Sequence, residues 1–279
     1  MAELGGRKDV EINLPLIRHM IINSIRGYKQ KFGSKYGELV IACDNRNYWR
    51  RGVFPNYKAN RKKEREDSGY DWKAIFDALS AVRKELNDYF PYPVISVEGA
   101  EADDIIATLA EWTQTNDLTS GMFEEPKPLL IISGDHDFIQ LQKYSNVSQF
   151  SPIQKKMVKP ERKPDDYVIE HIIRGDSGDG VPNVFSDDNC LVEGRRQKPI
   201  QTKKLDAWIK DPSTLPTDDA FVKNYERNKL LVDFSMIPMS VKYSIINNFV
   251  QQPKKDRSQL MNYFMQNRMK MMLEVISEF

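Results

Sequence analysis

The 279-residue chain is predicted to adopt an α/β fold, with a mostly parallel central sheet flanked by helices and followed by a helical C-terminal domain. Three observations carry that prediction. Short, β-branched apolar runs alternate with longer segments of helical periodicity through the first half. Acidic residues follow directly on those apolar runs. Beyond about residue 150 the chain turns basic and loop-rich, then settles into a series of short helical patterns. Strands separated by helices need crossover connections, which make neighbouring strands parallel and cover both faces of the sheet.

The first element is a helix over 14–32, where apolar side chains recur at helical spacing. Asn13 offers an N-cap, and Pro15 falls in the first turn, where its missing N–H is tolerated. Glu38 to Cys43 (ELVIAC) reads as a buried strand ending at Asp44. An amphipathic helix over 72–90 places Ile75, Phe76, Leu79, Val82, Leu86 and Tyr89 on one face. Pro93 to Val97 is a second strand, and Glu101 to Gln114 a helix with acids in its first turn. Pro128 to Ile132 is a third strand, followed at once by Ser133-Gly134-Asp135. A domain boundary is placed near residue 150, dividing the chain into 1–150 and 151–279. Helical patterns then cover 165–174, 201–210, 218–231, 240–250 and 257–277.

Composition narrows the function classes. With 40% hydrophobic and 29% charged residues the chain is ordinary for a globular protein, which argues against wholesale disorder. Its apolar runs are too short to cross a bilayer and Met1 to Lys8 lacks the apolar stretch of a secretory signal, so a cytoplasmic protein is expected. Two cysteines, Cys43 and Cys190, and three histidines argue against a disulfide framework and against a zinc site. His136 is expected to point away from any metal, and His19 and His171 to pack within helices. The net charge of +1 hides strong segregation of 41 basic and 40 acidic side chains.

Open sheets of this class hold ligands beyond the carboxyl ends of their strands. Asp44, Glu101, Asp103, Asp104, Asp135 and Asp137 lie there, and Asp176 and Asp179 follow a later helix. A lone aspartate after a strand is commonly a turn or cap residue. As a set, crowded carboxylates repel and call for cations. All-oxygen ligation suits Mg²⁺ or Mn²⁺. The chemistry that uses several such ligands is phosphodiester hydrolysis with two metals about 3.5–4 Å apart, and it needs no protein nucleophile. Directly after Asp44 comes a run over 45–67 in which Arg46, Arg50, Arg51, Lys58, Arg61, Lys62 and Lys63 interleave with Tyr48, Trp49, Phe54 and Tyr57. Such a mixture neutralises phosphates and stacks unpaired bases. Lys155 and Lys156 form a second basic stretch, and the loop Gly175 to Gly180 is placed to aim backbone N–H groups at a phosphate.

Taken together these segments resemble the flap endonuclease and 5′ nuclease superfamily, and within it the branch of T-even phage ribonucleases H. The likeness is carried by Ala42-Cys43-Asp44-Asn45 with Tyr48-Trp49-Arg50-Arg51, by Tyr57-Lys58-Ala59-Asn60-Arg61, and by Glu101-Ala102-Asp103-Asp104. It continues through Ser133-Gly134-Asp135-His136-Asp137, Gly175-Asp176-Ser177-Gly178-Asp179 and Tyr225 to Pro238. The resemblance implies that Asp44, Glu101, Asp103 and Asp135 serve one metal and Asp137, Asp176 and Asp179 a second, two Mg²⁺ ions with Mn²⁺ able to substitute. It implies that Lys58 and Arg61 act on the scissile phosphate from the base of an arch over about 46–71. Arg50, Arg51, Tyr57, Lys62, Lys63, Lys155, Lys156, Gly175 and Gly178 would bind nucleic acid, with a helix-three-turn-helix element over about 167–210 on the duplex backbone. The implied activity is 5′→3′ exonuclease and flap endonuclease action with ribonuclease H activity on RNA:DNA and DNA duplexes, removing lagging-strand primers. A replication clamp, a single-strand-binding protein, a monomeric state and the host cytoplasm are implied with it. The family pattern also opens with a strand ending in an aspartate, which residues 1–13 do not supply. The set is therefore expected to be one aspartate short, through a truncated or late start, and a branched-DNA-binding module that does not cut is the competing reading. Gly180 departs from the family's usual asparagine.

Overall fold

The computed structural model describes residues 13–115 and 127–279; the reading of residues 1–12 lies outside them. Helix α1 (Leu14–Tyr36) begins where the cap was expected, with the Asn13 side chain accepting from Leu16 N at 3.3 Å. It ends at Gly37, whose φ of 76° suits a residue without a Cβ. Strand β1 (Ile41–Ala42) follows, then α2 (Arg50–Val53), α3 (Asn60–Ser68) and α4 (Trp72–Tyr89) before β2 (Val94–Ile95), which pairs parallel with β1. Helix α5 (Ala102–Thr115) comes next. Strand β3 (Leu129–Ile132) then pairs parallel with β4 (Val147–Ser151) across a crossover containing the 3-10 helix His136–Lys143. Beyond these lie β5 (Lys156–Met157) and helices α6 (Pro164–Arg174), α7 (Thr202–Lys210), α8 (Asp219–Val232), α9 (Met239–Val250), α10 (Leu260–Gln266) and α11 (Lys270–Glu274).

The α/β class and its parallel strands match expectation, but among the described residues the single central sheet is two small ones, β1-β2 and β3-β4-β5. The run 38–43 contributes only two ladder residues, flanked by the bonds Ile41 N to Pro93 O and Cys43 N to Ile95 O, each 2.9 Å. Two helices pack against both sheets. On one side α1 packs Ile17 and Ile22 with Ile41 and Val94, and further along sets Phe32 against Phe150 of β4 at 5.0 Å between ring centroids. On the other side α5 packs Ile105 with Ile95 and Ala42, and Ala107 and Ala110 with Ile131 and Val147.

Three local expectations change. The stretch after residue 150 is a hairpin, with β5 antiparallel to β4 through Phe150↔Met157 and Ser151↔Lys156. Phe76 is 47% exposed, because the buried face of α4 runs through Ile75, Ala78, Val82 and Leu86, and Phe76 instead lies against Trp72. The helical pattern over 257–277 breaks at Arg268, which takes φ 55° while Met269 N returns to Phe264 O at 2.8 Å. That break lets Met269 and Met272 turn inward beside Phe264 and Phe279. These C-terminal residues complete the same core as α1 and α4, and Ile245 of α9 enters the core of α5 and β2. Among the described residues no helix is long and apolar enough to cross a membrane.

Candidate active site

The carboxyl ends of β1, β2 and β3 open on one cleft, and the turn after α6 closes it. Asp44, just beyond β1, accepts from Ala102 N at 2.8 Å and so ties β1 to the first turn of α5. An anion at a helix N-terminus is also favoured by the orphan N–H groups there. Asp135, beyond β3, caps the 3-10 helix by accepting from Asp137 N at 3.0 Å. Asp176 Oδ1 accepts from Gly178 N at 2.8 Å and Asp179 N at 3.1 Å, which folds the Gly-Asp-Ser-Gly-Asp segment into a compact turn. Asp103, Asp137, Asp176 and Asp179 line a common narrow cleft with Arg50 and Tyr57.

The electrostatics follow from that crowding. Burial pushes the Asp103 carboxyl up to about 7, with Asp135 and Asp44 adding repulsion that Lys58 only partly offsets. Asp137 is held well above the usual carboxylate range, first by burial and then by Asp135 and Asp176. Buried acids with raised pKa values and no matching cation are the donor set a hard divalent ion would neutralise, so these residues fit Mg²⁺ or Mn²⁺.

Glu101 and Asp104 are different. Glu101 is only 2% exposed, and its Oε2 accepts from Arg50 at 2.9 Å and lies 3.1 Å from Tyr57 Oη, while Oε1 meets Lys58 Nζ at 2.5 Å. Asp104, fully buried, pairs with Arg50 at 2.8 Å and accepts from Trp49 Nε1 at 3.2 Å. Both acids already have cations of the protein's own.

The base of the expected arch is stitched to the α6 turn. Lys58 takes φ 57° and its N–H donates to Asp179 O at 2.7 Å. Its ammonium stands 3.4 Å from Asp179 Oδ2, and Arg61 pairs with Asp179 Oδ1. Burial lowers the Lys58 ammonium, but Asp179 and Glu101 outweigh it and hold the group above its ordinary value. Gly180 explains itself here: at φ 74° a Cβ would fall 2.9 Å from Asn56 O and 3.3 Å from Lys58 N.

Several of the expected nucleic-acid contacts are engaged within the protein. Arg50 is 2% and Tyr57 4% exposed. Arg50 Nε donates to Leu231 O at 2.8 Å, and Tyr57 Oη to Asp179 at 2.7 Å, so both are internal struts. The N–H groups of Gly175, Gly178 and Gly180 bond within the turn, to His171 O, Asp176 Oδ1 and Ser177 O. Gly175 is needed for space, since a Cβ there would meet Val181 O at 2.4 Å. Arg51, lying over Tyr48, is exposed, as are Lys62 and Lys63 on α3 and Lys155 and Lys156 on the β4-β5 hairpin. His171, read from sequence as a packing residue, instead reaches the cleft with Nδ1 3.3 Å from Asp137 Oδ1. Its signal was available: a histidine one turn before the Gly-Asp segment, on the helix that delivers it.

A carboxylate cleft at strand ends, in a helix-flanked α/β fold, is the arrangement of the metal-dependent 5′ nucleases. Residues 14–170 match the model of the 5′-3′ exonuclease N-terminal resolvase-like domain, and residues 163–279 that of the T4 RNase H C-terminal region; the chain belongs to this 5′-3′ exonuclease family. Among its relatives, the ribonuclease H of Enterobacteria phage T4 is 34% identical, over 96% of this chain and 88% of that protein. The 5′-3′ exonuclease of Streptomyces coelicolor is 27% identical over 53% of this chain and 51% of its own length. Among solved structures, the bacteriophage T5 flap endonuclease complexed with DNA and metal ions superposes with TM-score 0.57 at 18% identity, covering 82% of this chain and 89% of that one. The T5 5′-exonuclease with bound zinc gives TM-score 0.55 at 17% identity, over 84% and 90%.

Proposed function

We propose that the protein is a Mg²⁺-dependent 5′ nuclease that cuts phosphodiesters at the 5′ ends and flaps of RNA:DNA and DNA duplexes, in the service of primer removal. The observation that carries this reading is the convergence of Asp44, Asp103, Asp135, Asp137, Asp176 and Asp179, from four separate segments, around a cleft with Lys58 and Arg61 at its edge. Two ions would be held there, Asp44, Glu101, Asp103 and Asp135 serving one and Asp137, Asp176 and Asp179 the other. When bound, such ions polarise the phosphodiester and lower the pKa of the attacking water.

The chain's own side chains do the rest. Lys58 and Arg61 place two positive charges beside the acids, where a scissile phosphate enters, and the φ 57° backbone of Lys58 anchored on Asp179 O fixes the stem of that lysine. Arg50 bridges Glu101 and Asp104 from beneath and so holds Glu101 at the inner end of the cleft. Exposed Arg51, Lys62, Lys63, Lys155 and Lys156 supply sequence-independent attraction to the nucleic acid backbone. α6, the turn after it and the segment leading to α7 would form the duplex-gripping helix-three-turn-helix element, and the division into nuclease and C-terminal domains belongs to the same reading, as do a monomeric state and docking on a clamp or single-strand-binding protein.

Incubation with a 5′-labelled flap and an RNA-primed duplex, with and without Mg²⁺, tests the proposal. Metal-dependent release of short 5′ products is expected; no cleavage at any metal concentration would refute it. Asp135→Asn is expected to abolish most cleavage while retaining flap binding, because that carboxylate acts on a cation and not on the nucleic acid.

A further inference from the structure

The second half of the cleft contains a group that an all-oxygen metal site does not need. His171 lies on α6 with its side chain 13% exposed, facing Asp137 through Nδ1 at 3.3 Å and Asp176 Oδ2 through Nε2 at 3.9 Å. Neither contact is an adequate hydrogen bond for Nδ1, which is buried without a partner. One ligand atom from each of Asp137, His171 and Asp176 can be chosen so that all lie within 4.8 Å of one another. Tyr167, one helical turn earlier, packs its ring 5.7 Å from the imidazole centroid and limits its swing. An unsatisfied imidazole nitrogen, sterically held between two carboxylates, has the make-up of a ligand donor and not of a core histidine.

We propose that His171 contributes an imidazole nitrogen to the second cation of the cleft, making that position selective for transition-metal ions such as Mn²⁺ and Co²⁺ over Mg²⁺. The selectivity follows from ligand type: Mg²⁺ favours oxygen and dehydrates reluctantly, whereas imidazole binds the later divalent ions more strongly, in the order Mn²⁺ before Co²⁺. The two positions then differ, one with oxygen donors alone and the other mixed. The inference rests on the reading of the cleft as a metal-dependent nuclease site and assigns a residue that reading leaves out.

The test uses the full-length protein stripped of metal. Pulsed electron paramagnetic resonance of bound Mn²⁺ should detect directly coordinated ¹⁴N, which changes to the ¹⁵N pattern when histidine is isotopically labelled and disappears in His171→Leu. Calorimetric titration should show Mn²⁺ affinity at one position falling by roughly ten-fold or more in His171→Leu and in the milder His171→Gln, with a smaller loss for Mg²⁺. The labelled wild-type spectrum stands even if a variant folds poorly. Mn²⁺ bound with no nitrogen coupling would overturn the assignment and leave the nuclease reading intact. Wild-type protein that binds neither Mn²⁺ nor Mg²⁺ would overturn both.

Discussion

Arg50 shows how far one side chain can depart from the texture around it. It stands in a run of basic and aromatic residues that reads uniformly as a phosphate-binding surface, yet its guanidinium joins Leu231 O, Glu101 and Asp104 and has little left to offer a ligand. The partner that decides this, Leu231, is 181 residues away, so nothing local in the run could reveal it. Arg50→Ala is expected to destabilise the fold by about 3–5 kcal/mol, because it strands the buried Asp104 and leaves Glu101 with Lys58 alone. Urea denaturation measures that loss. The salt dependence of flap binding should keep its slope; a slope reduced by about one with stability intact would restore Arg50 as a phosphate contact. The acids were easier to read than the bases, because an aspartate directly after an apolar strand is placed by chain geometry alone. Asp44 and Asp135 sit where that rule puts them, while His171 needed the fold to bring α6 against the 3-10 helix.

At the scale of elements, capped and amphipathic helices were the most legible. Asn13 capping α1 is a local hydrogen bond written in neighbouring residues, and the apolar spacing over 72–90 marks α4 in the same local way. The strands were overestimated, because an apolar run fixes an extended segment but its ladder length depends on a neighbour distant in sequence. The break between α10 and α11 has no glycine or proline to announce it; Arg268 accepts the left-handed conformation so that Met269 and Met272 reach the core. Helix α3 offers the cleanest functional test, since none of its residues is buried and Lys62 and Lys63 both face solvent. Replacing each by alanine should lower the slope of log affinity for a flap against log salt by about one, roughly equally across sequences. Unchanged slopes in both variants would remove α3 from the nucleic acid surface.

For the whole molecule, the cleft sets a stability that depends on pH and on metal. Asp103 titrates near 7 in the fold, above its ordinary 3.8, and Asp137 is raised in the same direction. The folded state therefore holds more protons than the unfolded chain between about pH 4 and 7, and the metal-free protein loses stability as pH rises through that window. His171, lowered by burial, works in the opposite sense in the metal-free protein. Thermal unfolding with Mg²⁺ and with chelator should give a gap in Tm that widens from pH 5.5 to 7.5. A gap independent of pH would mean that cations do not neutralise these acids.

The division of the sheet has a mechanical meaning. Asp44 belongs to the bank built on β1-β2, and Asp135 and Asp137 to the bank built on β3-β4, and among the described residues no backbone ladder joins the two. What spans them is the side-chain grip of α1 and α5. The mouth of the cleft is thus a caliper whose jaws are set by helix packing. The spacing of the two groups of acids is therefore a property of the core as much as of the acids themselves.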